Sequence, residues 1–522
     1  MGEIYKPIAC TMLTQIIDIN RNYLKTAVLL LILLVGFDQA PSKVEAWTNK
    51  YFFQRTPQSP FNSYTKTTVV MADTAPSDAA SLSTTHPMPK LPIPEPICSN
   101  EIGTWAYDTM SRRVDEEILQ RTYEDCQEDF EKPGFGNILK RFEELRDDLQ
   151  FAATRQLTYL DELPEGASEE RIKEWNEWKR ILKPHVENGD TWLSAPWLIA
   201  EFYVYRRLIQ ATGFWDKGSA GYMYDPFIKQ KRAGLTTSAG SAEPMLKRIP
   251  NLPKNDEGIT LAASIALWGN KMDLSLWPAD LENAQVDVFS EILEKAAENL
   301  LHDDSDKLSA YCEKLRAKGG GNVDIIVDNA GFELVTDLAL AQHLVESGIA
   351  KCVTFQLKSH PTFVSDAMEK DLLETVEYYA DLNETQFPNC KAAGQTWKKF
   401  LEDGQWKCNE DNFWVQAFAM WDMTEPLRTD MKERCDLAFV KGDANYRRLL
   451  GDRMWDFTAP FEDVVGCYFP CPVCALRTLK AEVGCGMDPD QVERAKELDE
   501  NWLVNGRFGV VHFGQGASAS TD

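Results

Sequence analysis

From about residue 100 to 250, apolar positions recur every three to four residues. Ile138, Leu139, Phe142, Leu145 and Leu149 form one such stripe, the buried face of an amphipathic helix. Ser168 ahead of Glu169 and Glu170 reads as an N-cap with acids in the first turn, and Ile172, Trp175 and Leu182 continue the stripe. Residues 197–208 (WLIAEFYVYRRL) are apolar with a charged end, which predicts a buried helix. No period-two alternation persists here, so residues 96–250 are expected to be all-helical. Beyond about 255 short apolar runs appear at 323–327 (VDIIV), 353–357 (VTFQL), 437–440 (LAFV) and 508–513 (FGVVHF), with helical patterns such as 332–344 between them. Strand–helix–strand alternation predicts a mainly parallel sheet in a three-layer α/β/α domain over residues 251–513. The expected fold class is therefore α/β, with an all-α N-terminal subdomain.

The ends differ from the body of the chain. Residues 27–37 (AVLLLILLVGF) follow Arg21 and Lys25. Spanning a bilayer takes about 20 apolar residues, so the run is too short for that. Its length suits a signal-peptide core, but the preceding region is long and no small-x-small cleavage site follows, so targeting is the minor reading. Met71 opens a Ser-, Thr-, Ala- and Pro-rich stretch that resembles a cytosolic N-terminus. Residues 1–95 are expected to be an extension and linker, 514–522 a disordered tail, and the location cytoplasmic with access to the nucleus.

Charge narrows the partners. Lys plus Arg number 55 against 81 Asp plus Glu, so 55 − 81 gives −26 with His neutral. Such a balance disfavours nucleic acid and anionic lipid as partners. A composition of 44% hydrophobic and 11% aromatic residues provides a sizeable core. The 12 cysteines are mostly isolated, which reads as reduced thiols rather than a disulfide framework.

In open α/β sheets ligands bind beyond the carboxyl ends of the strands. The run at 323–327 leads into Asp328 and Asn329, that at 353–357 into Lys358, Ser359 and His360 with Asp366 soon after, and that at 437–440 into Lys441, Gly442, Asp443, Ala444 and Asn445. Two carboxylates and a carboxamide are hard oxygen donors suited to an octahedral divalent cation. A nearby lysine is a point charge for phosphate. Together they are equipment for phosphoryl transfer or phosphate-ester hydrolysis. Any one of these motifs alone reads more readily as a turn and helix cap, and it is the coincidence of three strand ends that favours a site.

The segments VDNAGFELVTDL, the later Asp366 and FVKGDANYRRLLGD resemble the damage-control phosphatase family, as do SIALWGNKMDLS (264–275) and WLIAEFYVYRR (197–207). Arg477-Thr478-Leu479-Lys480 is similar to the Arg-Thr-x-Lys signature of its sugar-phosphate branch. The resemblance spans roughly residues 95–515. It implies an all-α and an α/β/α subdomain, and a metal-dependent phosphatase acting on small sugar phosphates such as fructose 1-phosphate and fructose 6-phosphate. It also implies a divalent metal on Asp328, Asn329 and Asp366, Mn²⁺ first, with Ni²⁺, Co²⁺ or Mg²⁺ as alternatives. Substrate would be held by Asp328, Asn329, Lys441, Gly442, Asp443, Ala444, Asn445 and Lys480. The family commonly has Leu where this chain has Ala444, a conservative departure.

Gly442 admits a close backbone approach, and Asp443 and Asn445 are suited to bonding sugar hydroxyls. Arg477 is a candidate brace, and the stretch RTLKAEV suggests a helix on which Lys480 could instead be a solvated surface residue. Glu333 reads either as an orienting group for metal-bound water or as an acid in a helix's first turn. The attacking group could be water or the Asp328 carboxylate.

Competing readings are weaker. An S-adenosylmethionine-dependent carboxyl methyltransferase, attributed to an animal branch of the family, lacks a glycine-rich loop after a first strand here. A non-catalytic metabolite-binding module fits poorly with the retained ligand set. Cys467, Cys471, Cys474 and Cys485 do not have paired-knuckle zinc spacing. His360 reads as a structural histidine more readily than as a pocket residue.

Overall fold

The computed structural model describes residues 86–269 and 297–517. The apolar run at 27–37 and the last five residues lie outside that range. Among the described residues no helix is long and apolar enough to cross a membrane.

Helices α1 (Trp105–Asp108) and α2 (Gln120–Phe130) are joined by a π-helical stretch, Thr109–Leu119. They are followed by α3 (Gly136–Gln150), α4 (Glu169–Asn188), α5 (Trp197–Thr212), α6 (Ile228–Leu246) and α7 (Asp256–Trp268). Ser168 caps α4 as predicted, its side chain accepting the Arg171 N–H. The stripe on α3 is the one read from the sequence: Ile138, Phe142, Leu145 and Leu149 are buried.

The sheet has seven strands: β1 (Leu300–Asp303), β2 (Gly321–Ile326), β3 (Ala350–Lys358), β4 (Trp406–Asp411), β5 (Leu437–Lys441), β6 (Val473–Thr478) and β7 (Gly509–Gly514). Their spatial order is β1-β7-β6-β5-β2-β3-β4. Strands β4, β3, β2, β5 and β6 are parallel, β7 pairs antiparallel with β6, and β1 runs parallel to β7. The helices between and after them are α8 (Ser305–Ala317), α9 (Phe332–Glu346), α10 (Glu369–Asp381), α11 (Pro388–Glu402), α12 (Leu427–Arg434), α13 (Asp443–Leu449) and α14 (Pro489–Leu498).

Successive strand residues feed opposite cores, which makes three layers. On β5, Ala438 and Val440 join the core built with α3 and α5, whereas Leu437 and Phe439 join the one under α6, α7 and α9. Helix α6, expected within the helical subdomain, thus lies on the sheet face. Three strands escape the sequence pattern. β1 is only four residues, β4 is a polar edge, and β6 is buried on both sides and shows no alternation.

Residues within both the expected linker and the expected tail make defined contacts with the body of the fold. Lys90 N–H donates to Asp463 O at 2.9 Å, with Met88 and Leu91 packed on the core. At the other end Ala517 N–H donates to Phe469 O at 2.8 Å.

Candidate active site

After β2 the chain builds outward through β3 and β4, then returns to place β5 on the other side of β2. The crevice between the carboxyl ends of β2 and β5 is the switch point where such sheets bind ligands. Asp328 and Asn329 leave one lip, and Gly442 to Asn445 leave the other.

Asp366 reaches this crevice from the loop after β3. Asn329 and Asp366 form an isolated antiparallel bridge. Beside it Ala330 N–H donates to Ser365 O at 2.7 Å and Ala367 N–H to Asp328 O at 2.8 Å. The turn requires Phe363 and Val364 to adopt φ of 43° and 66°, a left-handed region that side chains rarely enter. Phe202 and Tyr205 of α5 hold it, their rings 4.7 and 4.8 Å from that of Phe363. The apolar helix recognised at 197–208 therefore supports the loop that delivers Asp366.

The carboxylates are buried and crowded. Asn329 Nδ2 donates to Asp328 Oδ2 at 2.9 Å and to Glu333 Oε2 at 2.8 Å, while Ser365 Oγ donates to Asn329 Oδ1 at 2.6 Å. Burial, then the charges of Asp366 and Glu333, push the Asp328 carboxyl well above its ordinary range. Burial likewise raises Asp366, with Lys358 opposing it. Asp328 Oδ1 and Asp366 Oδ2 accept no hydrogen bond, although the Lys358 ammonium stands 3.2 Å from Asp366 Oδ2. Two buried, incompletely satisfied carboxylate oxygens beside a carboxamide fit a hard divalent cation, which would satisfy them. Among the described residues no three His, Cys, Asp or Glu side chains form a metal-ligating group, and Cys467, Cys471, Cys474 and Cys485 are free thiols.

On the opposite lip two residues differ from expectation. Lys441 is buried, with Nζ 3.0 Å from Asp337 Oδ1 and donating to Ala266 O, so it is not an open point charge for phosphate. Burial opposes its charge, yet Asp337 and Glu333 hold its pKa above the ordinary lysine value. Asn445, expected to meet sugar hydroxyls, is also buried. Its Nδ2 donates to Val327 O at 3.2 Å and Lys441 O at 2.9 Å, and its Oδ1 accepts from Lys358 Nζ at 3.2 Å. It pins three strand ends together instead. Gly442 has φ +82°, and Ala444 is half-buried in the first turn of α13.

Arg477 and Thr478 end β6, so the helix suggested by RTLKAEV does not form there. Arg477 Nε donates to Asp443 Oδ1 at 2.7 Å, and the Lys480 backbone N–H donates to the same oxygen at 3.0 Å. Lys480 itself is exposed, and its charge favours ionised Asp328. Among the described residues it is a cation at this site that stays open to an anionic ligand. His360 is buried against Trp215, ring centroids 5.5 Å apart, as a structural residue.

A cavity of about 500 Å³ opens beside Asn329, Ser365 and Glu333, and its far wall is α6. Neither that wall nor the pairing of Lys358 was read as part of the site. Lys358 was visible only as a strand-end ammonium. The Gly-, Ser- and Thr-rich texture of 234–241 was the available signal for α6.

Comparison with known proteins identifies the family. The model of the damage-control phosphatase ARMT1-like domain matches residues 109–495. Damage-control phosphatase ARMT1 of Danio rerio is 34% identical over 362 residues, covering 66% of this chain and 79% of that protein. Its Mus musculus counterpart is 30% identical over 443 residues, covering 80% and 98%. A crystal structure of a DUF89 family protein from Pyrococcus horikoshii aligns with TM-score 0.37 and 17% identity over 77% of this chain and 98% of that one. With the family model covering well over half of its length, this chain belongs to the damage-control phosphatase ARMT1-like family.

Proposed function

We propose that the protein is a metal-dependent phosphatase that hydrolyses small sugar phosphates, with fructose 1-phosphate and fructose 6-phosphate as expected substrates. The observation that carries this reading is the pair of buried, incompletely satisfied carboxylates, Asp328 and Asp366, brought together at the β2/β5 switch point by the Asn329–Asp366 backbone bridge. The relatives' name, damage-control phosphatase, supports phosphate-ester hydrolysis.

Asp328, Asn329 and Asp366 would hold the divalent cation, Mn²⁺ first among Mn²⁺, Ni²⁺, Co²⁺ and Mg²⁺. The bound cation supplies Lewis-acid polarisation of a phosphoryl oxygen and neutralises developing charge. Lys480 attracts the phosphate dianion from the open side. Asp443 ties the Lys480 backbone to the end of β5. Asn329 holds Glu333 within reach of the crevice, where its carboxylate can accept a proton from an attacking water.

The test is turnover of a sugar-phosphate panel with each of the four cations, on the wild type and on Asp328→Ala and Asp366→Ala. The expected result is activity in the wild type and its loss in both variants. Unchanged turnover in both variants would sink the site.

A further inference from the structure

The wall of the cavity formed by α6 carries polar groups that the phosphate chemistry does not engage. Gln230, Gly234, Thr237, Ser238 and Ser241 line it, at the spacing of one helical face. Gly234 lets that face lie close to Gly331, whose Cα is 3.8 Å from where a Cβ on Gly234 would stand.

Three lining groups of α6 are engaged within the protein. Thr237 Oγ1 donates to Ala233 O at 2.9 Å and Gly234 O at 3.3 Å. Ser238 Oγ donates to Leu235 O at 2.6 Å and lies 2.7 Å from Tyr379 Oη. Lys231 Nζ sits 2.7 Å from Asp371 and 3.2 Å from Asp225. Gln230 and Ser241 differ, because neither has a hydrogen-bond partner among the described residues. Ser241 is only 6% exposed yet lines the cavity, so its hydroxyl is directed into the space a ligand would take. The hydroxyl opens onto the cavity, so a ligand there can replace the water it would otherwise meet with a hydrogen bond of its own.

The remaining lining fixes the chemistry of the ligand. Lys231 is balanced by two carboxylates and Glu333 accepts from Asn329, so among the described residues the wall has no unpaired cation for a second phosphate. Phe332 and Val364 add apolar surface, and Asn329 and Ser365 connect the cavity to Asp328.

We infer that this face of α6 is the specificity wall of the enzyme. Gln230 and Ser241 hydrogen-bond the neutral, hydroxylated body of a phosphate monoester whose phosphate lies at Asn329. The inference rests on the phosphatase reading above and names the residues that select its substrate. An aromatic ester without hydroxyls would leave both groups unpaired.

The experiment compares kcat/KM for fructose 6-phosphate and 4-nitrophenyl phosphate, with Mn²⁺, in the wild type, Gln230→Ala, Ser241→Ala and the double variant. Each lost bond reduces affinity several-fold, so the sugar-to-aromatic ratio should fall by about tenfold in the double variant, mostly through KM. An unchanged ratio overturns the wall while leaving the phosphatase reading intact. A wild type that hydrolyses neither ester overturns both. Gln230 is half-buried and Ser241→Ala removes one atom, so both single variants keep the fold on which the ratio is read.

Discussion

The Lys358 ammonium lies 3.2 Å from Asp366 Oδ2, with each side chain 2% exposed, and it donates to Asn445 Oδ1 at 3.2 Å. One buried cation thus ties the ends of β3 and β5 to the loop carrying Asp366. Removing one partner of a buried pair costs about 3–5 kcal/mol, because the other charge is left uncompensated. Lys358→Met should therefore lose roughly 3 kcal/mol in metal-free urea denaturation. Added Mn²⁺ should raise its midpoint more than the wild type's, since the cation replaces the missing charge beside Asp366. Equal shifts in the two proteins would argue against that electrostatic role.

Gly442 leaves β5 at φ +82°, and a Cβ there would stand 1.9 Å from Asp328 Oδ2. Alanine would meet both the backbone strain, of order 1–3 kcal/mol, and a collision that displaces Asp328. Gly442→Ala should retain its far-ultraviolet circular dichroism but lose phosphate-ester turnover by more than 100-fold on that order-of-magnitude scale. Turnover near wild type would show that the close approach is dispensable.

Arg477 uses its planar fork fully. Nε donates to Asp443 at 2.7 Å, the two terminal nitrogens to Val483 O at 2.6 Å and Ala481 O at 3.0 Å, and the group sits 4.5 Å from the Tyr446 ring centroid. Lysine has the charge but not the fork. Arg477→Lys should loosen the anchor that Asp443 gives Lys480 and raise KM by about tenfold with a smaller change in kcat. Loss of kcat at constant KM would place Arg477 in the chemical step instead.

His360 supplies a pH signature. Burial lowers its pKa from 6.5 to about 4, opposed by its bond to the Pro361 carbonyl. Burial lowers His343 to about 4 and His512 to about 3 as well. The folded state binds fewer protons than the unfolded one between these values and 6.5. Stability from His360 is thus fully present above 6.5 and is lost as pH falls toward 4. Asp328 and Asp366, raised by burial, contribute in the opposite sense. The readout is therefore the difference between His360→Gln and wild type. In urea denaturation across pH 4–6.5 that difference should change by roughly 3 kcal/mol. A pH-independent difference would place a titrating His360 out of consideration.

The helices and the principal strands were legible because their signals are local. The stripe at 138–149, the Ser168 cap and the runs at 323–327, 353–357 and 437–440 depend on neighbours a few residues away. β6 was not legible: its residues are buried on both faces, and continuous burial leaves no period to read. Asp328, Asn329 and Asp366 could be named because strand ends and a family resemblance point at them.

What each polar group meets was decided only by the tertiary structure. The family resemblance and residue type together gave Lys441 and Asn445 to substrate. The folded chain buries both, giving Lys441 to Asp337 and Asn445 to the backbone of β5, to Val327 and to Lys358. Likewise nothing local marks Ser241 as a hydroxyl that faces a cavity and has no partner among the described residues. Chain periodicity specifies which face of an element is buried. The strand order, with β5 returning beside β2, specifies which distant side chains share that burial, and a buried polar group must take its partners from that company.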